Sequence, residues 1–338
     1  MQKILSICIP SFNMEAYLRR CLDSLIVPSL GKLEIIIVND GSTDRTLEIA
    51  KEYESMCPES FIVLDKSNGH YGSTVNAALK IATGKYFRIL DADDWFDSDV
   101  LEYMIGQLDA LDVDCIYTKF TKHDFYKNTV AVKEISGISY GCIIDLSVSL
   151  LPDEVFSMHS LTYRLSCLKE IAYYQTEGIC YTDIEYVLYP LSKIKTFYAI
   201  NRSLYQYFIG RDDQSVSFQS LQKTSGHRLK IVRRIVTEYK ACEGNLNARN
   251  IVRNVLLSLM RGVLRMYILH MRPVEELDKD IFEVYDSINA YDGGAYDMIS
   301  NLKVLFVVPY VKIWRKYRTD SFYVLTPVRW VLRMINMK

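Results

Sequence analysis

Four apolar runs, each closed by a polar cluster, organise the first hundred residues. Residues 4–9 form a continuous apolar stretch ended by Pro10, as expected of a strand buried on both faces. Residues 34–38 repeat the pattern and stop at Asn39-Asp40-Gly41-Ser42. Residues 61–64 form a third run, and residues 86–90 a fourth that leads into Asp91-Ala92-Asp93-Asp94. Between the runs the period changes to that of helices. Leu18, Cys21, Leu22 and Leu25 share one helical face, with Asn13 as the expected cap. A second helix is expected over 44–53, and a third opens in the 69–73 loop and ends near Thr83-Gly84. A fourth carries Leu101, Met104, Ile105 and Leu108, with Asp97 or Ser98 as its cap, before a strand at 113–117.

Repeated strand-helix-strand units predict an α/β fold: a doubly wound, mostly parallel sheet flanked by helices. In such sheets ligands gather at the carboxyl ends of the strands, where Asn39-Asp40 and Asp91-Ala92-Asp93 both fall. Residues 118–217 are less regular, with β patterns at 129–135 and 195–200. Beyond Gly210-Arg211-Asp212-Asp213 the spacing turns helical again, in Leu229, Val232, Ile235, Val236 and Tyr239, then in Val252, Val255, Leu256, Leu259 and Val263. The expected organisation is one domain over 1–217 and a helical region over 218–338.

Composition narrows the field. A net charge of −1 gives no electrostatic reason to expect nucleic acid as a partner. Eight cysteines without a CxxC pair read as reduced, buried thiols. No run approaches the ~20 apolar residues of a membrane span, and the first residues lack a signal-peptide layout, so the expected location is cytoplasmic. The five histidines are too scattered for zinc spacing. From Asn301 onward eight basic residues face a single acid, interleaved with Trp314, Tyr317, Phe322, Tyr323 and Trp330. Such a tail suits peripheral contact with an anionic membrane surface, or packing on its own domain or a protein partner.

The sharpest local signal is Asp91-Ala92-Asp93-Asp94. Three acids within four residues repel unless a cation sits among them, and a hard divalent ion with phosphate ligands is the natural occupant. A lone D-x-D is also an ordinary solvated loop. Its company decides: Ile9-Pro10-Ser11-Phe12-Asn13 after the first strand, Val38-Asn39-Asp40-Gly41-Ser42 after the second, and Asn68-Gly69-His70-Tyr71-Gly72-Ser73 before the fourth. In this order and spacing the segments resemble the family 2 glycosyltransferases, which have the GT-A fold and invert the anomeric centre. The resemblance spans residues 3–217.

It implies a nucleotide-sugar half over 1–110 and an acceptor half over 111–217. Pro10, Ser11, Phe12 and Asn13 then lie against the nucleoside, and Asp40 bonds the base, with Asn39 where relatives often carry a second acid. Asn68, Gly69, Asp91 and Ala92 complete the nucleotide site. Asp93 is the implied metal ligand, with Asp91 facing the ribose or a metal-bound water, and the cation is Mn²⁺ or Mg²⁺. Asp183, in Gly178-Ile179-Cys180-Tyr181-Thr182-Asp183, matches the base that deprotonates the acceptor, although Thr182 stands where relatives carry Glu. Glu185 is the alternative base, and Thr182 with Glu185 also fits a capping box. His159, Arg211 and Gln214 are further candidates near the acceptor or the diphosphate. The implied reaction moves a sugar from a UDP-sugar to a hydroxyl acceptor, such as a lipid-linked glycan. Two rivals are a sugar nucleotidyltransferase and a silent scaffold that binds nucleotide-sugar or membrane. The first needs a glycine-rich, basic loop after the first strand; the second predicts loss of an acid from the set.

Overall fold

A computed structural model describes residues 2–210, 225–240, 245–270, 283–290 and 293–301. The chain divides into two compact units, Met1–Asp212 and Asp213–Lys338.

The first unit is built on a ten-stranded sheet. Strands β1 (Leu5–Ser11), β2 (Leu33–Asp40), β3 (Phe61–Lys66) and β4 (Tyr86–Ile89) run parallel in the order β3-β2-β1-β4. Both faces are covered, which is why these segments read as largely apolar runs. On one face Leu5, Ile7, Ile9, Leu33, Ile35 and Ile37 pack under helices α1 (Leu18–Asp23), α2 (Thr46–Met56) and α4 (Ser98–Ala110). On the other, α3 (His70–Ile81) lies against β1 and β2, burying Val75 and Ala78. Each fully buried Leu or Ile contributes about 1.5–3 kcal/mol, so this double cover holds the strand ends firmly in place.

The second half departs from a simple repeat. Strand β6 (Cys115–Asp124) does not adjoin β4. The later strand β9 (Leu161–Arg164) inserts between them, antiparallel to both. A long strand β10 (Thr196–Ile209) runs parallel to β6, with register shifts after Ile200 and Ser203, and the two-residue β5 (Trp95–Phe96) pairs with it antiparallel. Strands β7 (Thr129–Lys133) and β8 (Ile143–Asp145) hang off β6 and β10. The sheet is therefore mixed, though mostly parallel.

Two expected caps are corrected. Asn13 does not cap α1; it adopts φ 54° and its Oδ1 accepts the Thr43 N–H at 2.9 Å, pinning the β1–α1 loop to the β2–α2 loop. Thr182 and Glu185 form no capping box either. Thr182 donates to Gln175 Oε1 at 3.1 Å, and Glu185 is turned into the interior. Asp97 does cap α4, accepting the Val100 N–H at 3.1 Å.

The second unit is helical among its described residues, with helices Ser225–Lys240, Leu246–His270 and Gly293–Ser300. Its interior holds Val232, Ile235, Val252, Val255 and Leu256 at the expected spacing, and Tyr285 stacks on Tyr296 with ring centroids 4.2 Å apart. No described helix is long and apolar enough to cross a membrane. The basic segment beyond Asn301 lies outside the described residues.

Candidate active site

The carboxyl ends of β1, β2 and β4 open on the same edge. Ser11 is in register with Asn39, and Asp40 with Lys66 of β3. Asp40 is buried. Its Oδ1 accepts from Lys66 Nζ at 2.7 Å and from the Gly69 N–H at 3.0 Å, so it ties β3 to the start of α3. Asn39 uses both ends of its amide: Nδ2 donates to Asp65 Oδ1 at 2.7 Å and Oδ1 accepts the Ser42 N–H at 3.3 Å. A carboxylate at position 39 would face Asp65 with no proton to share, which accounts for the amide there. Phe12 stands 45% exposed beside this edge, an uncovered ring in a loop that Asn13, Ser42 and Thr43 fasten together. Pro10 is half-buried, Ser11 and Ala92 are buried, and exposed Asn68 accepts the His70 N–H at 3.3 Å.

The acidic turn follows β4. Tyr71, in the first turn of α3, donates to Asp91 Oδ1 at 2.8 Å. The Tyr205 hydroxyl accepts the Asp91 N–H at 3.1 Å and donates to Asp94 Oδ2 at 2.6 Å. Asp94 Oδ1 accepts the Phe208 N–H at 2.7 Å, so Asp94 anchors the end of β10 to the turn. Burial pushes the Asp94 carboxyl well above the usual carboxylate range, and the charges of Asp93 and Asp91 push the same way. Arg20 bonds the Asp93 carbonyl at 2.6 Å and lies 4.1 Å over the Trp95 ring. Ligand atoms of Asp91, Asp94 and His159 all fall within 4.8 Å of one another. Two carboxylates and an imidazole, with Asp93 adding negative charge, make a donor set that fits a hard divalent cation.

His159 is held by Ser157, whose Oγ lies 2.6 Å from Nδ1, and it stacks on Tyr207 with centroids 4.4 Å apart. Burial, then the charge of Arg88, pushes its pKa down to about 3, so the ring is neutral near pH 7. Arg88 sits fully buried in β4. Its Nη2 bonds the His159 carbonyl, while Nη1 donates to Thr162 at 2.8 Å and Thr118 at 3.3 Å.

Asp183 begins helix α6 (Asp183–Leu191), α5 being Leu165–Glu170. The segment before it is fastened to α3. Gly72 allows this approach, since a Cβ there would lie 2.2 Å from the Thr176 carbonyl oxygen. Asn76 exchanges hydrogen bonds with the Gln175 backbone at 2.8 and 2.9 Å, and the Gly178 N–H reaches the Gly69 carbonyl at 3.1 Å. Glu185 is buried, and its two oxygens accept from the Thr176 N–H and hydroxyl at 2.7 and 2.8 Å. Its carboxylate thus serves the segment that carries Asp183. Burial raises the Tyr71 hydroxyl, and the charges of Asp91 and Asp183 both add to that. Tyr207 is raised by burial and by Asp94, Asp91, Asp93 and Asp183 together. One α3 turn therefore ties Asp40 to Asp91, and the segment before Asp183 is fastened to the same helix. Arg211 and Gln214 lie outside the described residues.

Asp94 was read from sequence only as the third acid of the cluster and Tyr71 only within its motif segment, while Tyr205, Tyr207 and Arg88 were not singled out. Of those three only Arg88 carried a local signal, as a charge inside the apolar run 86–90.

Residues 6–142 match the family model described as glycosyl transferase family 2. A chondroitin synthase of Escherichia coli is 27% identical over 230 residues, which are 65% of this chain and 31% of that protein. A hyaluronan synthase of Pasteurella multocida is 38% identical over 116 residues, 34% of this chain and 12% of its own. Across eight curated relatives, these two among them, the matched segment spans 12% to 37% of the relative's length. Among solved structures, residues 1–349 of S. aureus TarS in complex with UDP superpose with a TM-score of 0.67 at 18% identity, covering 98% of this chain and 91% of that one. A mannosyltransferase of Pyrobaculum calidifontis in complex with GDP-Man and Mn²⁺ gives a TM-score of 0.52 at 12% identity, covering 97% and 84%.

Proposed function

We propose, on the match of residues 6–142 to glycosyl transferase family 2, that the chain moves a sugar from a nucleoside diphosphate sugar to a hydroxyl acceptor with inversion. The first unit, with its GT-A sheet, then carries both substrates. Residues 1–110 take the donor and 111–217 the acceptor, with 218–338 as a helical extension. The observation that supports this best is the role of the α3 turn. Gly69 bonds Asp40, Tyr71 bonds Asp91, and the segment leading to Asp183 is fastened to the same helix through Asn76 and Gly69.

Within this reading Phe12 offers a face to the base and Asp40 accepts from it. Asp93 and Asp91 would hold Mn²⁺ or Mg²⁺, with Asp94 and His159, whose ligand atoms lie within 4.8 Å of one another and of Asp91, beside them. When bound, that cation offsets the charge that develops on the departing diphosphate. Asp183 accepts the proton of the attacking hydroxyl. Its place in the first turn of α6 favours the ionised form, because helix N-termini stabilise negative charge. A base set apart from the leaving group gives displacement from the opposite face, hence inversion.

UDP is the proposed nucleotide, supported by the UDP bound in the TarS structure. The names of the chondroitin and hyaluronan synthases support a role in surface polysaccharide synthesis. A donor of this kind places the reaction in the cytoplasm, and the basic tail is proposed to bring it to a lipid-linked acceptor at the inner membrane face. Asp183→Asn tests the chemistry. The variant is expected to bind UDP and Mn²⁺ as the parent does and to lose transfer by about a thousandfold; undiminished transfer would remove Asp183 from the mechanism.

A further inference from the structure

A cavity of about 340 Å³ lies beside the carboxylate cluster, on the β6–β7 side of the sheet. It touches the site only through His159 and Tyr207, the stacked pair that line it; none of Asp91, Asp93, Asp94 or Asp183 does. Its floor is aromatic. Tyr117 and Phe120 of β6 join Tyr207, and the Phe120 ring lies 5.1 Å from that of His159. Its rim carries both signs of charge. Glu154 uses one oxygen to accept the Ser136 N–H at 3.2 Å, Lys122 is loosely paired with Asp124 at 3.4 Å, and Lys133 stands exposed.

Flat rings under a mixed rim of donors and acceptors suit a saccharide, whose ring face is apolar and whose hydroxyls both give and take hydrogen bonds. The volume falls within the range of small-ligand pockets, roughly 300–1,000 Å³. Position then decides which sugar. The reacting hydroxyl must come within hydrogen-bond reach of Asp183, and Asp183 does not line this cavity. We infer that the cavity is a distal acceptor subsite, holding the sugar next to the one that is glycosylated. The acceptor is therefore an oligosaccharide of two or more sugars. This rests on the transfer reading above and adds the length of its acceptor.

The test is a printed array of mono-, di- and tetrasaccharides probed with the full chain in UDP and Mn²⁺, beside calorimetry of UDP binding. Two rim variants accompany the parent. Val155→Trp fills the cavity from a residue that is 44% exposed, and Lys133→Ala removes one rim donor at an exposed position. Oligosaccharides are expected to bind at least about tenfold better than monosaccharides, with that preference reduced about tenfold in Val155→Trp and less in Lys133→Ala, at unchanged UDP affinity. Equal binding of mono- and oligosaccharides overturns the inference. So does a parent that binds UDP but no glycan, or a preference that survives in both variants. A parent that fails to bind UDP contradicts the donor reading instead, and the glycan arm still judges the cavity.

Discussion

The Tyr71 hydroxyl donates a 2.8 Å hydrogen bond to Asp91 Oδ1, joining the first turn of α3 to the acidic turn after β4. Its charge environment includes Asp183 as well. Tyr71→Phe removes that donor and leaves the ring in place. Donor kcat/KM is expected to fall about tenfold, equivalent to about 1.4 kcal/mol, with thermal stability lowered by no more than about 1 kcal/mol. Steady-state kinetics beside a melting curve separate the two effects.

Asn39 and Asp65 form a second informative pair. Asn39→Asp sets two carboxylates against each other where the amide now donates at 2.7 Å. The variant is expected to lose about 1–2 kcal/mol at neutral pH. Asp65→Asn on the same background should restore most of that loss, so a double-mutant cycle in denaturant measures the coupling. Additive losses would show that the pair does not interact.

Asp94 anchors β10 through Tyr205 and Phe208. In Tyr205→Phe, Asp94 loses its shortest bond and the Asp91 N–H loses its acceptor. Asp94 keeps its bond from the Phe208 N–H, so the loss of the two Tyr205 bonds is expected to cost about 1–3 kcal/mol. Chemical denaturation should read that loss, together with weaker metal-dependent UDP binding.

Acid stability has a separate source. Asp114 accepts backbone N–H groups from Lys195 and Thr196 at 2.8 and 3.0 Å, and the Cys167 thiol at 3.2 Å, fastening the start of β6 to that of β10. Burial acts to raise its pKa, but these bonds and Arg164 outweigh it and hold the carboxyl below its ordinary value. A depressed folded-state pKa contributes stability above the unfolded value, near 3.9, and that contribution is lost as pH falls through the folded value. Asp114→Asn is therefore expected to lower stability at pH 7 and to flatten its decline below about pH 4. Melting temperatures from pH 7 down to pH 3 check the sign.

Much of this was legible in the sequence because parallel strands buried on both faces leave largely apolar runs. Residues 4–9, 34–38, 61–64 and 86–90 mark β1 to β4 directly, and the polar clusters after them fall at one sheet edge. What was not legible came from distant pairing. Nothing in Leu161–Arg164 announces that it will separate β4 from β6. Tyr205 and Tyr207 reach the acidic turn only through the register shifts in β10, more than a hundred residues later. Thr182 and Glu185 had the spacing of a cap. Yet Gln175 and Thr176, brought close by Gly72, took both side chains. Local spacing proposes a hydrogen bond, and tertiary packing decides which partner receives it.

The central claim is that a cation at the acidic turn binds a nucleoside diphosphate. Thermal shifts with UDP, GDP, CDP and ADP, each with and without Mn²⁺, test it most directly, since a ligand at a hundred times its Kd adds about 2.7 kcal/mol to the folded state. At least one diphosphate, UDP first, is expected to raise the melting temperature only when Mn²⁺ is present, and Asp93→Ala should abolish that rise while melting as the parent does alone. A diphosphate shift that ignores both Mn²⁺ and Asp93, or no shift with any of the four, would contradict the account.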